Sequence, residues 1–280
     1  MNIMTPGLNL VQRTVSAIVF VPIVLGLTWI GGGAFLTLIV GIVGRSCWEF
    51  YQLAENSGRQ PLKLLGVGLS LILCVHLFLA PNIYFLLSIV IAAILVLIVT
   101  LKSGCSGFVD RASLTLGGIF YCGILGSIPL VMAVDTKNFR STETGLVMVL
   151  IFASLWITDA VAYAAGRLWG QRKLAPSISP NKTILGAVVG SIAGLLPTLW
   201  QFLIPAFSHV ELLGLFMVVT LGGQMGDLVE SAIKRDFGAK DAPTLIPGHG
   251  GALDRFDSYF FAFPLAYAYL VALQRLIPAG

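Results

Sequence analysis

Between Gly226 and Ser258 the sequence reads GDLVESAIKRDFGAKDAPTLIPGHGGALDRFDS, and the side chains in it that can do chemistry fall into groups by spacing. Glu230, Ser231 and Lys234 lie three, four and seven positions beyond Asp227. On a helix these four share one face. Two carboxylates one turn apart can share a hard cation such as Mg²⁺, which takes oxygen ligands and keeps several of its waters. Lys234 and Arg235 at the same helix end suit phosphate, with a salt-bridged helix end as the structural alternative. Pro247-Gly248-His249-Gly250-Gly251 is too glycine-rich to be helical. Glycine lets the backbone approach a ligand closely, and successive N–H groups in such a turn form an anion nest. His249 is placed there for phosphate contact or proton transfer. Asp254, Arg255 and Asp257 follow, the carboxylates three apart; a flexible loop with an aspartate helix cap is the plainer reading.

A second group lies upstream. Asp159 interrupts a run that is otherwise apolar from Leu146 to Ala165, with Tyr163 one turn on. A carboxylate inside such a run marks function by default. Gly166-Arg167, Gly170 and Arg172-Lys173 come next, then Ser179-Pro180-Asn181-Lys182-Thr183 ahead of a helix opening at Ile184. Ser, Lys, Thr and backbone N–H groups at a helix N-terminus make a phosphate cradle, without the pattern of a Walker loop. An ordinary basic loop is the alternative. Glu49 and Arg45, four apart, can pair within an apolar run, with structural and functional roles equally open.

The elements that must carry these residues are membrane helices. The chain is 57% hydrophobic and 11% charged, with mean hydropathy +0.92, against roughly 25% charged in soluble domains. Apolar runs near the required length of about 20 residues occur near 14–30, 34–53, 64–80, 83–101, 114–134, 145–165, 184–204, 212–226 and 259–276. The expected fold is therefore all-α, a polytopic integral membrane protein of about nine transmembrane helices. Residues 1–280 form one membrane domain with a catalytic half at about 145–280. Gly31-Gly32-Gly33 should make a tight turn, and the first run reads as a retained helix because no small-residue cleavage site follows it. Nine alternating spans place nearly all loop Lys and Arg on one side, leaving only Lys137, Arg140 and Arg275 on the other. The positive-inside rule then sets the N-terminus and both chemical groups in the cytoplasm and the C-terminus outside. Cys47, Cys74, Cys105 and Cys122 form no metal or disulfide pattern and read as small apolar residues. No internal repeat is evident.

Ser231 to Asp257, with Lys234-Arg235, Lys240-Asp241, Pro247-Gly-His249-Gly250-Gly251 and Asp254-Arg255-Phe-Asp257, resembles the phosphatidate cytidylyltransferase (CDP-diacylglycerol synthase) signature. Gly226-Asp227-Leu-Val-Glu230 and Asp159…Tyr163-x-x-Gly166-Arg167 with Ser179-Pro180-x-Lys182-Thr183-x-x-Gly186 are similar to that family too. Pro243, Ala252 and Leu185 depart from its pattern. The resemblance implies that CTP and phosphatidic acid give CDP-diacylglycerol and pyrophosphate. It implies Mg²⁺, with room for a second cation, on Asp227 and Asp254, supported by Glu230 and Asp257. Lys234, Arg235, Lys240, His249 and Arg255 would neutralise phosphates. Ser179, Lys182 and Thr183 would close over CTP or the lipid phosphate, with Gly250 and Gly251 in the nest and Asp159 in a supporting polar role. Expected partners are CTP, phosphatidic acid and membrane lipids, with a homodimer allowed and no nucleic acid. The expected location is the bacterial inner membrane. Two alternatives are a CTP-dependent polyprenol or phytol kinase, and an ion-coupled transporter using Asp159, Glu49 and Arg45; the one-sided charge and missing repeat weigh against the transporter.

Overall fold

A computed structural model describes residues 20–135, 143–242 and 251–276. The start of the first expected span, Lys137, Arg140, His249 and Gly250 lie outside these residues.

Helix α1 (Phe20–Ile30) is separated from α2 (Gly32–Asn56) by the expected glycine turn, where Gly31 and Gly32 take φ of 70° and 51°. These are left-handed values that glycine adopts without a Cβ penalty. Helix α3 (Lys63–Leu79) stops before Pro81, and Asn82 restarts the chain as the N-cap of α4 (Ile83–Leu101) by accepting the Tyr84 N–H. Most of α4 is unburied and apolar, the character of a lipid-facing helix.

The fifth expected span is longer than its apolar run and is not uniform. Helix α5 (Phe108–Gly118) passes into a π-helical stretch (Ile119–Leu125) and then α6 (Gly126–Val134), which contains Pro129. Proline has no N–H to return to the preceding turn, so the ladder is broken locally. The buried Tyr51 ring fits beside Gly66 and Gly118, where any Cβ would collide with it, and its hydroxyl donates to the Thr115 carbonyl.

Helix α7 (Thr144–Trp169) runs past the expected Ala165 and is followed by a short antiparallel hairpin, β1 (Lys173–Ala175) and β2 (Ser179–Thr183). The fold is otherwise helical, as expected, but the segment read as a loop is a two-stranded sheet. Its strands are too short to show in hydropathy, and Pro180 discourages a strand assignment. Helix α8 (Ile184–Ala193) begins where expected, but it does not continue to Ile204 as one α-helix. It ends at Gly194 and is followed by a 3₁₀ stretch (Leu196–Leu203) that has Pro197 in its first turn.

Helices α7 and α8 approach closely because α8 is lined with glycine. A Cβ at Gly190 would lie 2.7 Å from the Thr158 carbonyl oxygen, and one at Gly186 2.6 Å from that of Ala162. Small residues at helix contacts are the usual means of close packing in lipid.

Helix α9 (His209–Asp236) opens with a capping box between Ser208 and Glu211. It extends ten residues beyond the apolar run that ended at Gly226, and so carries Asp227, Glu230, Ser231, Lys234 and Arg235 on the same rod as the membrane segment. Lys234 and Arg235 in the last turn complement the helix dipole. A single turn, α10 (Ala252–Arg255), precedes α11 (Tyr259–Leu276), which packs against α9. Among the described residues, six helical segments are long and apolar enough to cross a membrane, and two shorter apolar helices accompany them. This is the architecture of a largely α-helical membrane protein.

Candidate active site

Three elements bring the sequence-selected residues together: the β-hairpin, the last three turns of α9, and the turn from Gly251 to Ser258. Thr183 is the N-cap of α8, accepting the Gly186 N–H at 3.1 Å, so the hairpin's second strand feeds straight into that helix. This leaves Lys182 turned toward α9, where its ammonium pairs with Asp227. Asp159 on α7 feels both the Lys182 and the Asp227 charges. Arg235 ties the hairpin down from the other side, donating from Nε to the Ile178 carbonyl at 3.2 Å and from Nη1 to that of Ala239 at 2.9 Å.

One turn along α9, Glu230 is fully buried and Lys234 nearly so. Lys234 Nζ lies 2.7 Å from Glu230 Oε2 and donates to Asp254 Oδ1 at 2.7 Å. Asp254 is further held by the N–H groups of Ala242 (3.0 Å) and Gly251 (3.2 Å) on Oδ2. Burial alone would raise the Asp254 carboxyl, but the hydrogen bond and charge of Lys234, with the Gly251 amide, outweigh it and hold the group below the usual carboxylate range.

Asp257 behaves in the opposite way. Burial, and then the negative charges of Asp227, Asp159 and Glu230, push its carboxyl well above the usual range, despite its acceptance of the Ser258 N–H at 2.6 Å. Asp254 and Asp257 do not continue one helical face, because α10 ends at Arg255 with Phe256 as its non-helical C-cap. Asp254 faces Lys234, whereas Asp257 lies in the field of Asp227, Asp159 and Glu230. Lys240 and Arg255 are exposed at the rim, the Arg255 guanidinium lying 5.9 Å over the Phe20 ring. Ser179 starts β2 and pairs with Ala175 across the hairpin. Of the expected nest only Gly251 is described; its φ of −82° is ordinary, and its value is close approach, since a Cβ there would lie 2.5 Å from Glu49 Oε2.

Near this site the sequence marked Glu49 only as a partner for Arg45 and gave no signal at all for Tyr121. Glu49 of α2 accepts the Leu253 N–H from inside the bundle. Tyr121, in the π-helical stretch, is buried with its hydroxyl unpartnered among the described residues and lies in the field of Glu230 and Asp257. π-Helical turns are frequent at functional sites, but nothing in IFYCGIL announces one.

The sequence profile of the Cytidylyltransferase family matches residues 11–273. The chain belongs to the cytidylyltransferase family. A relative named phosphatidate cytidylyltransferase from Brucella abortus biovar 1 (strain 9-941) is 34% identical over 264 residues, 93% of each chain. Relatives of the same name from Staphylococcus saprophyticus and Staphylococcus epidermidis (strain ATCC 12228) are 44% and 45% identical over 138 and 136 residues, 48% of this chain. The family match spans both helix α2 and the α9–α11 region, so Glu49 and Asp227 both fall inside it.

The packing of this candidate site in a cytidylyltransferase-family chain makes a direct prediction. A Cβ at Gly226 would lie 2.6 Å from the Asp257 carbonyl oxygen and 3.3 Å from Ser258 Cα. Overpacking of this kind costs roughly 1–3 kcal/mol, and here the yielding backbone carries Asp257. Gly226→Ala is expected to lower kcat more than tenfold while the protein still elutes as a folded species in detergent. Unchanged kcat would show that the α9 contact does not set the Asp257 position.

Proposed function

We propose that this chain transfers the cytidylyl group of CTP to phosphatidic acid, giving CDP-diacylglycerol and pyrophosphate. Membership of the cytidylyltransferase family and relatives named phosphatidate cytidylyltransferase support this reading. The observation that carries it to a site is the junction of Lys182 with Asp227 beside the Glu230–Lys234–Asp254 network. It joins a basic hairpin to an acidic helix end at the edge of an apolar bundle, where a soluble polyphosphate and a lipid headgroup can meet.

In this reaction a phosphate oxygen of phosphatidic acid bonds to the α-phosphorus of CTP. The bond from that phosphorus to the bridging oxygen breaks, and pyrophosphate leaves with the electron pair. The protein's work is to position two anions and to offset the charge between them. Lys182 and Lys234 supply that offset from fixed positions. Asp254 and Glu230 hold Lys234 in place, and Arg235 fastens the hairpin that carries Lys182. Lys240 and Arg255 at the rim attract the incoming polyphosphate, and Ser179 and Thr183 shape the hairpin edge that lies over it.

The carboxylates fit a divalent cation. Asp159, Asp227 and Asp257 bear on one another with Lys182 as the cation paired to Asp227, a local concentration of negative charge that a divalent ion would balance. No three metal-binding side chains among the described residues form a ready-made cage. Mg²⁺ is suited to such a place, because it needs one or two carboxylates and takes its remaining ligands from water and phosphate. Asp227 and Asp257 would hold it, with Asp159 and Glu230 nearby, while Asp254 is committed to Lys234. Bound there, Mg²⁺ would withdraw charge from the reacting phosphates.

The basic loops support a nine-span arrangement with the N-terminus and this site in the cytoplasm, where CTP is, and the C-terminus outside. Purified protein is expected to release pyrophosphate from CTP only when phosphatidic acid is present. Release of CDP with a polyprenol or phytol in its place would point to a lipid kinase.

A further inference from the structure

Helix α2 belongs to the amino-terminal half, yet it reaches the turn that carries Asp254. Glu49 is 1% exposed. Its Oε2 accepts the Leu253 N–H at 2.8 Å, across 204 positions of sequence. Its Oε1 lies 2.7 Å from Arg45 Nε, one helical turn back and partly exposed. The carboxylate is thus fixed at both oxygens, one by its own helix and one by the first turn of α10. Gly251, the N-cap of that turn, leaves room for it, since a Cβ would lie 2.5 Å from Glu49 Oε2 and 2.7 Å from the Ala242 methyl. Ala242 and Gly251 are the same two residues whose N–H groups hold Asp254 Oδ2.

A buried carboxylate is expensive to place in an apolar bundle. This one is spent on a backbone amide beside the site, where an apolar residue would have filled the space. We infer that Glu49 is a positioning residue: through the Leu253 amide it holds the 251–257 turn at the depth where Asp254 meets Lys234. It touches no substrate. The site is therefore not confined to the carboxyl-terminal half, because α2 sets the height of its acidic turn. The inference rests on the functional reading above, and the test separates the two.

Three full-length variants distinguish the amide acceptor from the charge. Glu49→Gln keeps an oxygen at the Leu253 N–H and removes the charge. Glu49→Asp keeps the charge but withdraws it by roughly 1.5 Å, one C–C bond. Glu49→Leu keeps bulk and removes both. Hydrogen–deuterium exchange of residues 251–257 in detergent reads the anchor, and kcat with CTP and phosphatidic acid reads its use. In the Asp and Leu variants, exchange is expected to accelerate and kcat to fall, each by about 10–100-fold, the range for losing a hydrogen bond to a charged group. The Gln variant is expected to stay within about threefold of wild type on both. If the Leu variant does not fold, the Asp variant carries the test, since it keeps the buried charge that Arg45 balances.

Wild-type exchange in the Asp variant would overturn the proposal, as would faster exchange with unchanged kcat. A Gln variant as impaired as the Asp variant would also overturn it, by assigning the effect to charge. Wild-type protein inactive with CTP and phosphatidic acid would sink the functional reading, and the exchange result would still decide the anchor.

Discussion

Asp227→Asn is expected to reduce cytidylyl transfer on the order of 10³-fold, the largest loss of any single conservative change in this protein. The substitution keeps shape and removes one negative charge from the point where the hairpin, α9 and the carboxylate group meet. Asp227 pairs with Lys182, is 3.5 Å from the Ser231 hydroxyl, and bears on both Asp159 and Asp257. Losing its charge releases Lys182 from its position and removes a carboxylate proposed to hold Mg²⁺. The second consequence has a readout apart from turnover. A cation that binds only the folded protein at about a hundred times its Kd stabilises it by about 2.7 kcal/mol. Mg²⁺ should therefore raise the Tm of wild-type protein in detergent and leave that of Asp227→Asn unchanged. An Asn variant keeping more than a tenth of wild-type turnover, or the full Mg²⁺ shift, would remove Asp227 from the centre of the site.

Lys234→Met is expected to damage stability and activity together. Glu230 is completely buried, and Asp254 is half-buried against the same ammonium. Removing the cation leaves two carboxylates without their shared partner, and breaking a buried pair from one side costs about 3–5 kcal/mol. Activity should fall roughly 10²–10³-fold, as for loss of a single fixed charge-stabilising donor. The two effects separate in Lys234→Met combined with Glu230→Gln. The uncharged amide no longer needs a cation, so much of the Tm should return while activity stays lost. Recovery of both would mean that Lys234 only neutralises Glu230; recovery of neither would point to a packing defect.

How far the sequence foretold this arrangement depends on the range of the interaction. The α9 face was legible because helical spacing alone places Asp227, Glu230, Ser231 and Lys234 together. Helix α11 begins at Tyr259 and ends at Leu276 as expected, because its apolar run has sharp borders. Thr183 and Ile184 marked a helix start through capping chemistry, which is local. The hairpin was not legible, since strands of three and five residues leave no periodicity to read. Pro197 and Gly194 could have suggested the break after α8, but hydropathy continues across it unchanged. Asp254 and Asp257 parted because α10 is a single turn, and only the packing of Gly226 against the Asp257 backbone shows where the chain bends. Glu49 was visible as a buried charge with Arg45 as neighbour. Its second partner is a backbone amide far along the chain, which side-chain patterns cannot specify.

The most direct test follows the label. Purified protein is incubated with phosphatidic acid, Mg²⁺ and CTP carrying phosphorus label at either the α or the γ position, with Asp227→Asn run beside it. The account predicts that α-label enters the lipid, that γ-label leaves as pyrophosphate, and that the variant transfers neither at a comparable rate. Lipid that carries γ-label, or a variant that incorporates α-label as fast as wild type, would contradict it.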